Sequence, residues 1–134
     1  MLAVVATLTL ATTTVAAPDK PPHGNQAIFH GHRRGDQSWQ WNYRVWMPAV
    51  WQRIAWCESG TRPPADPDWT HDSGTYQGAM GFWYGSWDRF KPVAWWPDNA
   101  ADASPWMQYR TALEIHARYG FTGWGCYRNA WVRG

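Results

Sequence analysis

Apolar positions recur with a helical period in two stretches of the chain, and the first of them ends on a charge. Trp51, Ile54, Ala55 and Glu58 fall at i, i+3, i+4 and i+7 on one face. Pro48 suits the first turn of such a helix, and Gly60 with Pro63-Pro64 stops it. The second stretch opens at Ser104-Pro105, an N-cap followed by a first-turn proline. Met107, Leu113 and His116-Ala117 continue it to about Tyr119, where Gly120 ends it. Between these helices, Tyr76 to Phe82 is short and broken by glycine, which predicts a small strand or hairpin. Trp83 to Phe90 predicts another short helix. Arg62 to Thr75 and Lys91 to Ala103 read as loops. Several short helices around a minimal β element predict an α+β domain, mainly α, with no internal repeat.

The N-terminal region follows a different pattern. Leu2 to Leu10 is a short apolar run, and Val15-Ala16-Ala17 offers small residues for cleavage, so residues 1–17 read as a secretory signal peptide. The run is shorter than the ~20 residues a membrane span needs, so no stable membrane insertion is expected after cleavage. No Lys or Arg precedes it, so either the true start lies upstream or the signal is a weak one. Residues 18–45 are rich in Pro, His and Gly and read as a disordered linker that cannot bury a face. His23, His30 and His32 fit that solvated linker better than a metal tract. The folded domain is expected over residues 46–134, in a secreted protein.

Composition sharpens this picture. Of 134 residues 13 are tryptophan, far above ordinary usage. Four basic and two acidic residues lie between Pro18 and Val45, and eight of each sign follow. That balance in the domain lacks the basic stripe of a nucleic-acid binder, so no nucleic-acid partner is expected. The weakly basic arm suits an anionic wall polymer. Cys57 and Cys126 are the only cysteines. Two readings stand: a disulfide, as export favours, or two buried free thiols. Two cysteines without matching histidines make no zinc cage, and there is no phosphate loop, so neither metal nor cofactor is expected.

The order of motifs resembles the transglycosylase-like domain of resuscitation-promoting factors, bacterial wall-cleaving proteins with a lysozyme-like fold. The resemblance covers about Trp46 to Tyr127. It begins with a tryptophan-led helix ending in Cys57-Glu58-Ser59-Gly60, then Trp69 and the turn Asp72-Ser73-Gly74. It continues through Tyr76-Gln-Gly-Ala-Met-Gly-Phe82, Ser86-Trp87, and the helix start Ala100, Ala103, Ser104 and Gln108. It closes on Gly120-Phe-Thr-Gly-Trp124-Gly-Cys126. Two positions depart from the family pattern. Gly81 stands where the family often has a cleft-lining Gln, and Ser86 where it has Thr. The resemblance implies a Cys57–Cys126 disulfide beside the catalytic residue, and Glu58 as that residue.

The chemistry gives Glu58 its meaning. Breaking a glycosidic bond requires a proton on the leaving oxygen, and a carboxyl whose pKa is raised by apolar surroundings supplies it. Trp51, Trp56 and Trp87 are candidates for those surroundings. Hydrolysis commonly uses a second carboxylate. Asp66, Asp68 and Asp72 are available, with Asp72 the first choice among them, although a turn residue bonding its own backbone is the simpler reading of Asp72. Lytic transglycosylation needs no second carboxylate, because the sugar's own 6-hydroxyl attacks. Ser86, Trp69, Tyr76 and Trp83 are the candidate substrate-binding residues, with Trp95 and Trp96 as further groove tryptophans; each Trp is equally readable as core or loop packing. His116 reads as a packing residue.

The sequence therefore points to a secreted, monomeric glycosidase that cleaves the β-1,4 bond between N-acetylmuramic acid and N-acetylglucosamine in peptidoglycan glycan strands. It would act by hydrolysis or by lytic transglycosylation, with a peptidoglycan peptidase as a possible cooperating partner. The alternative is a catalytically degenerate, Trp-rich module that binds wall glycan without cutting it.

Overall fold

The computed structural model describes residues 42–134. The expected signal peptide and most of the expected linker lie outside the described residues. The fold is a small, mainly helical α+β body. Its elements are α1 (Tyr43–Trp46), α2 (Ala49–Glu58), strands β1 (Tyr76–Gln77) and β2 (Phe82–Trp83), α3 (Tyr84–Phe90), α4 (Pro105–Tyr119) and α5 (Ala130–Arg133). Short 3-10 turns cover Ala100–Asp102, Gly120–Gly123 and Gly125–Arg128. The strands pair antiparallel, Tyr76 opposite Trp83 and Gln77 opposite Phe82. Among the described residues no helix is long and apolar enough to cross a membrane.

Helix α4 forms the centre. Ser104 caps it, its hydroxyl accepting from the Met107 N–H at 3.2 Å, and Pro105 opens it. Trp106, Met107, Tyr109, Thr111, Ala112 and Ile115 are all buried along its length. The expected stripe of α2 packs against it: Trp51, Ile54 and Ala55 are buried. Trp51 is the pivot. Its ring meets Trp124 edge-on at 4.9 Å, Phe121 at 5.2 Å and His116 at 5.5 Å. Such contacts contribute about 0.5–1.5 kcal/mol each beyond area burial. His116 thus packs in an aromatic cluster.

Two polar devices fix the loops to this core. Gln108 is fully buried on α4, and its amide is a hub. Its Oε1 accepts from the Ala79 N–H at 2.9 Å, and its Nε2 donates to the carbonyls of Trp69, Ala100 and Ala103 at 2.8, 2.9 and 3.1 Å. One side chain thereby ties the hairpin and two loops to one helix, and buried backbone groups that would otherwise cost ~1–3 kcal/mol each are satisfied. A Cβ at Gly78 would lie 2.5 Å from Gln108 Oε1, which is why the hairpin passes with a glycine there. At the other end Tyr43 is 2 % exposed and donates to Asp66 Oδ1 at 2.8 Å, while Arg44 Nε donates to the Tyr43 hydroxyl at 3.0 Å. The packed body therefore takes in Tyr43 and Arg44, ahead of the expected boundary at residue 46. Burial pushes the Tyr43 hydroxyl up to about 12.

Candidate functional site

Glu58 is the last residue of α2, and its address follows from the helix stop behind it. The Ser59 N–H still bonds the Ala55 carbonyl, and Gly60 turns the chain away with φ +72°. The carboxyl is half-buried. Oε1 accepts the Cys126 backbone N–H at 3.0 Å. That donor is held in place covalently, because Cys57 and Cys126 form a disulfide with Cα atoms 5.9 Å apart. The disulfide reading of the two cysteines holds, and the described residues contain no free thiol. Burial raises the Glu58 pKa above the usual carboxylate value, and the Cys126 N–H pulls it back in part.

The two oxygens of Glu58 are not equivalent. Because Oε1 takes the backbone N–H, a proton on the acid belongs on Oε2. Oε2 lies toward Gly81: a Cβ built there would sit 3.2 Å from it. Gly81 has φ +61°, a conformation that favours glycine, so the position where the family often carries Gln has both a backbone and a steric reason for glycine here. Gly81 also forms part of the wall of a cleft of about 170 Å³. Tyr76, Trp83, Ser86, Tyr119 and Trp124 line the same cleft. Trp124 anchors the C-terminal turn to the hairpin by donating its indole N–H to the Met80 carbonyl at 3.1 Å. The Trp83 ring lies across Gly85, where a Cβ would collide with it, and remains 48 % exposed.

The sequence candidates divide between this cleft and other places. Ser86, Tyr76 and Trp83 line the cleft. Trp69 does not. It is 3 % exposed, tilts against Tyr43 at 5.3 Å, and its face is core. Trp96 is likewise buried, whereas Trp95 is 56 % exposed. Trp51, Trp56 and Trp87 are all buried in the core. Asp72 is a turn residue: Oδ1 accepts the Gly74 N–H at 2.8 Å and Oδ2 accepts from Asn99 Nδ2 at 2.8 Å. Those two bonds hold its pKa below the ordinary value. Asp68 accepts from the Thr70 N–H and hydroxyl, and Asp66 is paired with Tyr43 and Arg44. Each of the three carboxylates proposed as a second acid–base group thus has a local partner.

Sequence reasoning missed three contributors. The Cys126 N–H is a backbone donor, and no residue pattern marks it. Trp124 and Tyr119 enter the cleft wall from the end of α4 and the turn after it, a placement set by tertiary packing. Among the described residues no group of three or more His, Cys, Asp or Glu is placed to hold a metal ion. Comparison with protein-family models, curated proteins and solved structures finds no match for this chain, so its family reading rests on the order of its motifs.

Proposed function

We propose that the protein is a wall-active glycosidase that cleaves the β-1,4 bond between N-acetylmuramic acid and N-acetylglucosamine, with Glu58 as its acid. One observation carries the reading: a half-buried carboxyl with a raised pKa, one oxygen fixed by the Cys126 N–H and the other beside the glycine wall of an aromatic-lined cleft. Burial keeps the proton on the acid at pH values where an exposed glutamate has lost it. Aromatic rings at the cleft suit the C–H faces of pyranoses.

Within that reading, the local engagement of Asp66, Asp68 and Asp72 favours one-carboxylate chemistry. Glu58 Oε2 donates its proton to the glycosidic oxygen, and the bond from muramic C1 to that oxygen breaks. The 6-hydroxyl of the same muramic residue attacks C1, and its proton passes to the Glu58 carboxylate. The acid is regenerated and the product carries a 1,6-anhydro end. The Cys126 N–H steadies the transient carboxylate on Oε1.

Glu58→Gln keeps the shape and removes the proton. Release of soluble fragments from purified peptidoglycan should fall at least ~100-fold, the usual scale of general acid catalysis. Mass spectrometry of wild-type digests should give anhydro ends. Reducing ends would replace the transglycosylase step by hydrolysis, and unchanged release by Glu58→Gln would sink the assignment. Retention on insoluble peptidoglycan without any fragment release would favour the binding module instead.

A further inference from the structure

The acids of this body are matched to only some of its bases. Asp66 pairs with Arg44, Asp88 and Asp98 with Lys91, and Glu114 with Arg110. Among the described residues Arg53, Arg62, Arg128 and Arg133 have no acidic partner. The fold gathers these four around α5. Arg53 Nε donates to the Val132 carbonyl at 2.7 Å, and the Arg62 guanidinium lies 4.8 Å over the Trp131 ring. Arg133 Nη1 donates to the carbonyls of Tyr127 and Arg128 at 3.1 and 2.6 Å, which ties α5 to the turn that carries Arg128. Arg128 itself is exposed.

The same turn borders a pocket of about 320 Å³, lined by Phe121, Thr122, Trp124, Tyr127 and Arg128. Phe121 and Tyr127 stack with centroids 4.2 Å apart and 11° between their planes, so two rings form one apolar lining. Trp124 lines this pocket and also the cleft walled by Gly81, so the two sites share a wall. A small apolar hollow with an unpaired guanidinium beside it matches a short peptide that carries a carboxylate. Aliphatic groups fill the hollow, and the planar guanidinium takes the carboxylate through two parallel N–H donors. A phosphodiester polymer would use the arginines and leave the hollow empty.

We propose that this pocket is a peptide subsite, and that its occupant is the carboxylate-bearing peptide attached to N-acetylmuramic acid in the wall. Arg128 receives the carboxylate, the Phe121–Tyr127 pair receives the aliphatic groups, and the arginines around α5 keep the local potential positive. The inference rests on the muramic reading of the cleft, and the shared Trp124 lets one ligand reach both sites. It makes Arg128 a specificity-determining residue that separates peptide-bearing strands from bare ones.

The test uses the Glu58→Gln protein, so that binding is read without cleavage. Calorimetric titration compares three probes: the N-acetylglucosamine–N-acetylmuramic acid disaccharide carrying a tetrapeptide, the same molecule with its peptide carboxylates amidated, and the disaccharide without peptide. The first should bind about three- to fivefold tighter than the other two, the scale of one solvent-exposed carboxylate–guanidinium pair. Arg128→Gln should remove that advantage and leave the affinity for the bare disaccharide as it was, which also shows that the variant is folded. Arg128→Lys keeps the charge and should keep part of the advantage. Equal affinities for the three probes, or an advantage that survives Arg128→Gln, overturn the peptide subsite alone. So does Arg128-dependent binding of poly(glycerol phosphate) that is tighter than binding of the peptide-bearing disaccharide, which would give the arginine face to a phosphodiester polymer. Failure of the Glu58→Gln protein to bind any of the three saccharides overturns the muramic reading of the cleft, and the subsite with it.

Discussion

Glu58 and Asp72 are both acidic residues at a change of chain direction, and the fold treats them in opposite ways. Glu58 ends a buried helix with one hydrogen bond on one oxygen, and burial raises its pKa. Asp72 opens an exposed turn with a bond on each oxygen, and those bonds lower its pKa. Burial favours the protonated form of the first carboxyl, and hydrogen bonds favour the ionised form of the second. The lesson is that proximity to a glycine turn says little about an acid's role. What decides is whether the surroundings remove water faster than they supply hydrogen bonds.

The largest separation between the two should appear in pH dependence. Activity that needs protonated Glu58 falls about tenfold per pH unit once pH passes its raised pKa. The stability sign is the same for Glu58: its folded pKa is raised, so its contribution is fully present below the ordinary glutamate value and is lost as pH rises through the folded one. Asp72 works in reverse. Its contribution is present above the ordinary aspartate value and is lost as pH falls through the lowered one. Urea melts across pH 3 to 8, on wild type and Glu58→Gln, read this directly. The Gln variant should lose the part of the slope that weakens the fold toward neutral pH. An identical slope in both proteins would mean that Glu58 is not desolvated.

The disulfide gives the next effect. Cys57 and Cys126 are 69 positions apart, so the link closes a long loop, and chain-entropy estimates assign it about 4 kcal/mol. Cys57→Ser with Cys126→Ser should lower the denaturation midpoint accordingly. Because the Cys126 N–H would no longer be pinned to Glu58, activity should fall even at temperatures where the double variant stays folded. Full activity in the folded double variant would separate the link from the acid.

Gly81→Ala tests the approach of Gly81 to Glu58 Oε2. The new methyl would sit 3.2 Å from Oε2 on a backbone at φ +61°, which costs about 1–2 kcal/mol and crowds the proton-bearing oxygen. Fragment release should drop by more than the loss of folded protein accounts for, as measured by activity per folded molecule. Equal losses would leave Gly81 with a backbone role only.

Much of this arrangement can be traced to local sequence signals, and the rest cannot, for physical reasons. The stripe of α2, the Ser104-Pro105 start, the Gly120 stop and the hairpin between Tyr76 and Trp83 all follow from periodicity and turn chemistry, which act over a few residues. Glu58 was legible for the same reason, since an apolar helix that ends on a carboxylate half-buries it. Trp69 was not. In a chain this rich in tryptophan, residue type no longer separates core from groove, and only packing against Tyr43 decides. Gln108 gave no local sign of a hub, because two of its four partners, Ala79 and Trp69, lie 29 and 39 residues away along the chain. Helix α5, which packs on α2 through the Arg53 donation to the Val132 carbonyl at 2.7 Å, lies beyond the last recognisable motif.

The smallest effect is expected at Asp72, and it completes the comparison. Asp72→Ala removes the acceptor of the Gly74 N–H and releases Asn99, whose own side chain caps the 3-10 turn at Ala100–Asp102 by accepting the Ala101 N–H at 2.8 Å. Gly74 is exposed and Asn99 partly so, and water replaces most of what is lost. A slight fall in Tm should result, with fragment release within about twofold of wild type, because surface changes of this kind are usually small. Asp72→Asn should behave still more mildly, since its carbonyl oxygen can keep the Gly74 bond. A loss of activity in Asp72→Asn approaching that of Glu58→Gln, with the Tm preserved, would give Asp72 a chemical task and return the reaction to two carboxylates.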